Sequence, residues 1–165
     1  MLISADRFET LDFPQLMEVY REGNVENGAY FWPGETPERQ MKLAEEAFRS
    51  YLTEDFFGKR HGTYYVWKEE GGYLSALRLE EHPDGLLLEA LETHPDCRGM
   101  GYAKKLIPAV LKQLPPGTRV YSHVHKKNIP SLQTHFSCGF SKKLDYAVGS
   151  DGELCDWEVT MEIFV

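Results

Sequence analysis

The 165-residue chain is poor in cysteine: Cys97, Cys138 and Cys155 are its only three, an odd number with no CxxC spacing. That argues against a disulfide framework and fits reduced thiols in a reducing compartment. Long apolar runs are lacking too. The longest, Leu106 to Leu111, ends at Lys112, whereas a bilayer-crossing helix takes roughly 20 such residues. Met1 to Arg7 holds no basic stretch followed by an apolar one, so the sequence predicts no leader peptide, no membrane span and a cytoplasmic protein. Positive charge is in deficit: 18 Lys and Arg against 26 Asp and Glu leave −8, which makes nucleic acid a poor partner. Repeats and low-complexity linkers are absent. With 42% hydrophobic residues, the length fits one domain over residues 1–165 with a sizeable core.

The charge that is there is unevenly spread. Between Pro95 and Ala147 nine bases meet two acids, a charge of +7, and the rest of the chain has nine bases and 24 acids, −15. The basic stretch predicts an anionic ligand, and the acidic remainder gives a weak preference for a cationic one.

Local signals divide the chain into elements. Met1 to Ala5 reads as a strand. Asp12-Phe13-Pro14 opens a helix to about Tyr20, with Asp12 as its N-cap. Thr36-Pro37-Glu38 opens another, with Met41, Ala44, Phe48, Tyr51 and Leu52 on one stripe. Residues 22–34 between them carry two early glycines and read as a loop holding Tyr30-Phe31-Trp32. A strand meander follows from Thr63 to Thr93, turning at Glu70-Gly71-Gly72 and Pro83-Asp84-Gly85. Then come a helix from Gly101 to Leu114 containing Pro108, a strand over Arg119 to Val124, and a short helix over Asn128 to Ser137. Two strands, Phe140 to Val148 and Glu153 to Phe164, close as a hairpin. The fold class is α/β, a mixed and partly antiparallel twisted sheet flanked by helices.

The segment His94 to Ala103 carries the chemistry. Two glycines before a helix let the backbone curl with N–H groups pointing inward, and the helix end adds its unpaired donors. This is a seat for phosphate oxygens. The dinucleotide pattern GxGxxG fails because Lys104 stands at its third glycine, and GxxxxGK[ST] is absent. What remains, Arg98-x-x-Gly101-x-Ala103, resembles the pyrophosphate-binding signature [RQ]xxGx[GA] of the GNAT superfamily of N-acetyltransferases. Asn128, Ser131, His135 and Gly139-Phe140 follow the spacing of that family's later motif. Leu91-x-Thr93-x-Pro95 is similar to its cofactor strand. The likeness runs from about Leu86 to Phe140.

The resemblance implies a GNAT-like fold, acetyl-CoA as acetyl donor and direct transfer to an amine. Backbone amides of Arg98, Gly99, Met100, Gly101, Tyr102 and Ala103 would hold the pyrophosphate, with Lys104 beside it. Leu91 and Thr93 would pair with the pantetheine arm, and Asn128 and Ser131 would line its path. Glu89, two residues before Leu91, is the candidate general base. Glu92 would face the other way on an unbroken strand. His135 stands where the family usually has a tyrosine acid, so it is the candidate proton donor. The acceptor would be a small-molecule or peptide amine, and a homodimer is left open. His123-x-His125 has no further ligands at a recognised spacing, so no metal is expected. The alternative is a non-catalytic acyl-CoA-binding sensor, favoured by the missing tyrosine.

Overall fold

A computed structural model describes residues 1–165. Asp12 caps a helix through its side chain, which accepts from the Gln15 amide, and α1 runs over Phe13–Val19. Thr36 does the same for α3, Pro37–Ser50, which widens into a π-type turn over Tyr51–Phe56. Both starts follow the cap-then-proline pattern read from the sequence.

Residues 22–34 depart from expectation. They are mostly helical: α2 spans Arg21–Phe31. Its sequence lacks an apolar stripe because it buries little beyond Asn24 and Gly28. The partner of α2 is α3, and their closeness depends on Gly28. A Cβ there would lie 2.8 Å from the Gln40 carbonyl oxygen. The glycine that suggests a loop is therefore a helix–helix contact.

The strands are β1 (Leu2–Ala5), β2 (Thr63–Glu69), β3 (Gly72–His82), β4 (Gly85–Thr93), β5 (Arg119–His125), β6 (Ser141–Leu144), β7 (Ala147–Val148), β8 (Leu154–Cys155) and β9 (Glu158–Phe164). Seven of them form one sheet in the order β1-β2-β3-β4-β5-β9-β6, while β7 and β8 pair separately. The two long final strands expected from the sequence are thus each divided. Asp145, held by Lys142 and Lys126 at 3.0 and 3.4 Å, lies where the chain leaves the sheet.

Only β4 and β5 run parallel, so their connection must cross over a face of the sheet. It does so through α4, Tyr102–Leu111, which carries Pro108 inside it. After β5 comes α5, Ile129–Ser137, capped by Asn128. The sheet separates two apolar layers. One holds Leu16, Leu52, Phe56, Tyr64 and Val66 under α1 and α3, and the other holds Leu77, Leu88, Leu106, Ile107 and Met161 under α4.

Two irregularities shape the middle of the sheet. The β4–β5 ladder stops after Leu86↔Val120 and Leu87↔Tyr121, while β5 continues along β9 to His125. The two parallel strands therefore splay. On its other edge β4 bulges: Glu89 pairs with Arg78 and Glu92 with Ala76, three residues against two. Ala90 takes φ of 50° there, a left-handed conformation costly for a residue with a Cβ. The Tyr20 hydroxyl donates to the Ala90 carbonyl at 2.5 Å, and Tyr64 donates to Tyr20 at 2.7 Å. Both phenols are buried, which raises their pKa.

Gly28→Ala should lower stability by about 1–3 kcal/mol, the usual range for overpacking. Urea unfolding measures this; an unchanged midpoint would show that α2 and α3 can separate freely.

Candidate functional site

The splay opens into a cavity of about 560 Å³ on the α4 side of the sheet. Its walls come from three places: Leu91, Glu92 and Thr93 on β4, Arg98 to Lys104 on the loop and first turn of α4, and the N-terminal half of α5. Of the sequence-predicted cofactor residues, Leu91, Thr93, Arg98, Gly99 and Gly101 line it, as do Ala103, Lys104, Asn128 and Ser131. Met100 and Tyr102 do not. Met100 is 61% exposed and the Tyr102 hydroxyl donates to Glu69 at 3.2 Å, so Tyr102 offers only its backbone amide; the expected amides of Arg98 and Met100 are already spent, on the carbonyl oxygens of Pro95 at 3.5 Å and Cys97 at 3.4 Å. The structure adds Glu92, Pro130, Gln133 and Thr134. Thr134 lies three residues beyond Ser131 on the same helical face, a signal available in the sequence.

The loop is built for an anion. Gly99 and Gly101 take φ of 78° and 83°, and Gly101 caps α4 in that conformation. A Cβ at either would meet nothing within 4 Å, so the positions require glycine for backbone shape rather than for room. The N–H groups of Gly99, Gly101, Tyr102, Ala103 and Lys104 donate to no protein group. Such a row of free amides at a helix start seats phosphate oxygens. Lys104 is free of ion pairs, whereas Lys105, Lys126, Lys142 and Lys143 are each bound to a carboxylate. Much of the basic segment is thus neutralised locally, and Lys104 supplies unpaired positive charge at the cavity. Arg98 reaches away from the amides to Glu22 and, at 3.5 Å, to Glu92.

The bulge changes which way the acids face. Glu89 and Glu92 are three residues apart, which on an even strand means opposite faces. The inserted residue puts both on the α1–α3 side, opposite Arg78 and Ala76. The expectation that Glu92 turns away is corrected on this ground. Burial raises the Glu92 pKa, with Arg98 pulling it back, and the Thr93 amide donates to its carboxylate at 3.2 Å. Glu89 accepts from Arg78 Nε at 2.8 Å.

His135 goes elsewhere. It is 1% exposed, does not line the cavity and meets the Phe140 ring edge-on at 5.1 Å. Its Nδ1 lies 2.8 Å from the Ser131 carbonyl oxygen, which can only accept, so the proton sits on Nδ1. That leaves Nε2 as a bare lone pair, buried and without a partner. Burial also lowers its pKa.

A second cavity of about 260 Å³ opens on the α1–α3 side, between Phe31 at the end of α2, Trp32 just beyond it, Phe48 of α3, Tyr51 and Arg78. Of the aromatic cluster, only Tyr30 stays out, 79% exposed.

A mixed sheet splayed at one parallel pair, with free amides at the helix start beside the splay, defines an acyl transferase that grips a CoA-type donor. The family model described as Acetyltransferase (GNAT) family matches residues 25–140, and the chain belongs to that family, whose members use acetyl-CoA. Solved structures share the fold. The PaiA N-acetyltransferase from Thermoplasma acidophilum, in complex with coenzyme A, superposes with a TM-score of 0.62 at 16% identity, covering 100% of this chain and 99% of that one. Spermidine N-acetyltransferase from Vibrio cholerae, in complex with CoA and spermine, gives 0.61 at 18%, over 99% and 95%. The ribosomal-protein-S18-alanine N-acetyltransferase from Escherichia coli gives 0.59 at 17%, over 100% and 94%. Among curated proteins none matches significantly. No helix is long and apolar enough to cross a membrane.

Two outcomes are expected. Gly101→Ala should weaken CoA binding at least tenfold by calorimetry, while Gly117→Ala, at φ of 85° with equally open space, carries the same strain of about 1–2 kcal/mol and leaves binding alone. Because the folded state holds His135 neutral, its stabilising share is present above the ordinary value of 6.5 and is lost as pH falls through and below it. Thermal melts from pH 7 to 5 should therefore fall less steeply for His135→Phe than for the wild type.

Proposed function

We propose that the protein moves an acetyl group from acetyl-CoA to a primary amine by direct attack. One observation carries this reading: β4 presents an open edge to the donor cavity and, one bulge away, a carboxylate to the opposite face. The diphosphate would rest on the free amides of Gly99 and of Gly101 to Lys104, with Lys104 adding charge. The pantetheine arm would run along Leu91 to Thr93 as an added strand, past Asn128 and Ser131. Asn128 is already occupied, since its Oδ1 accepts from the Ser131 amide at 3.2 Å; its part is to fix the wall.

The amine would approach from the α1–α3 side. Its nitrogen bonds to the acetyl carbon, the carbon–sulfur bond breaks, and sulfur leaves with the electron pair. Glu89 takes the amine proton, directly or through water. Arg78 holds that carboxylate in place. Glu92, on the same face, is the second carboxylate in reach of the splay. His135 is better read as packing than as the acid: its one proton is committed to a backbone oxygen. The thiolate then takes its proton from solvent or leaves as the anion.

Thiol release from acetyl-CoA across a panel of amines tests the reading. Turnover supports it, whereas tight CoA binding with no turnover on any amine points to an acyl-CoA sensor. Glu89→Gln should cut kcat at least tenfold in steady-state acetylation assays. His135→Phe should stay within about threefold in kcat, a small change beside the 10²–10⁴ of a general acid; a loss in that larger range would restore His135 to the chemistry.

A further inference from the structure

The second cavity contains a feature that packing alone leaves unexplained. Arg78 is largely buried, its side chain 16% exposed. Its Nε is spent on Glu89 at 2.8 Å, and its guanidinium lies 4.7 Å from the Tyr51 ring centroid and 5.5 Å from that of Phe56. Nη1 and Nη2 donate to no protein group, yet they are not sealed from solvent. A guanidinium is thus clamped by its inner edge and rings, with its outer donors free at a cavity it lines.

The rest of the wall is apolar or neutral: Phe31, Trp32, Phe48 and Tyr51, with the amides of Asn24 and Asn27. No carboxylate lines it. A polycation entering here would meet the like charge of Arg78 and bring no anion to its free Nη1 and Nη2 donors, and Glu89, outside the wall and already paired with Arg78, would be left as its one nearby counter-charge. A volume of about 260 Å³ also falls below the usual 300–1,000 Å³ range for ligand pockets, which suits one compact molecule.

Resting on the acetyl-transfer reading above, we propose that the acceptor is a small α-amino carboxylate with an apolar or aromatic side chain. Its carboxylate takes the paired Nη1 and Nη2 donors end-on, the geometry at which arginine surpasses lysine. Its ammonium lies toward Glu89, and its side chain packs on Phe31, Trp32 and Tyr51. The Arg78–Glu89 pair and the zwitterion then face each other with opposite signs at both ends. The ammonium gives up one proton to solvent on becoming the free amine. The amine nitrogen attacks, and its second proton passes to Glu89 as the carbon–sulfur bond breaks, leaving an N-acetyl amino acid and CoA. The local charge of the cavity overrides the weak preference for a cationic acceptor drawn from the whole chain.

The test compares L-phenylalanine, L-methionine, phenethylamine and spermidine as acceptors with acetyl-CoA. The wild type should show kcat/KM at least tenfold higher for the amino acids than for phenethylamine or spermidine. Arg78→Lys should lower kcat/KM for L-phenylalanine at least tenfold more than for phenethylamine, chiefly through KM. A second readout stands without any variant or turnover: binding of N-acetyl-L-phenylalanine to the wild type by calorimetry, measured against N-acetylphenethylamine. At least tenfold tighter binding of the carboxylate compound supports the site even if no amine is acetylated, an outcome that would sink the transfer reading alone. Equal binding of the two, or equal turnover of the amine and the amino acid, overturns the proposal.

Discussion

Two strands that begin as a hydrogen-bonded parallel pair and then part set up everything else in this structure. Beyond Leu87 the β4 edge facing β5 has no ladder partner, while β5 stays fully paired with β9. Unpaired backbone inside a protein is costly, so this edge persists only where something else meets it. An extended thioester arm is the natural partner. The bulge at Ala90 keeps the strand in this state. It absorbs one residue, is pinned by the Tyr64–Tyr20 hydroxyl relay, and turns two carboxylates toward the same face.

The splay links two halves with different chemistry. On the α4 side, backbone amides and one free lysine await an anion, and the local basic surplus is mostly tied up in ion pairs. On the α1–α3 side, aromatic rings surround an arginine whose outer donors are free. Arg98 joins the halves through Glu22 of α2 and Glu92 of β4, and Arg21 reaches Asp96 at 3.3 Å. The loop with the free amides is therefore fastened to the helix that walls the second cavity. Exposed ion pairs of this kind contribute little stability each; their effect here is to fix position.

Charge summed over this chain and charge at its cavities differ in sign. The acidic remainder of the chain suggested a cation, but its carboxylates are spread over the surface and screened. Arg78, buried and held rigid, outweighs many distant acids at the spot where an acceptor would bind. His135 gives a parallel case. Its place in the motif suggested an acid, yet burial and a backbone oxygen at 2.8 Å remove the proton it would need.

What the chain determined by itself is local. Asp12, Thr36 and Asn128 announce their helices because a capping side chain reaches only three residues along. Gly99 and Gly101 announce the anion loop because positive φ is a property of single residues. Strands β2 to β4 followed from alternation and turn residues, although the last hairpin divides where Asp145 meets lysines from two elements. Contacts distant in sequence decided the rest. The α2 helix exists because Gly28 lets it lie against α3, and nothing in its own pattern says so. The facing of Glu92 depends on a bulge held by Tyr20, 70 residues away. The meeting of Arg78 with Glu89, and of Arg78 with Phe31 and Trp32 around one cavity, required the sheet and two helices to assemble. Local rules operate over a few residues, whereas register, burial and the joining of side chains into a site are settled only when the whole sheet closes.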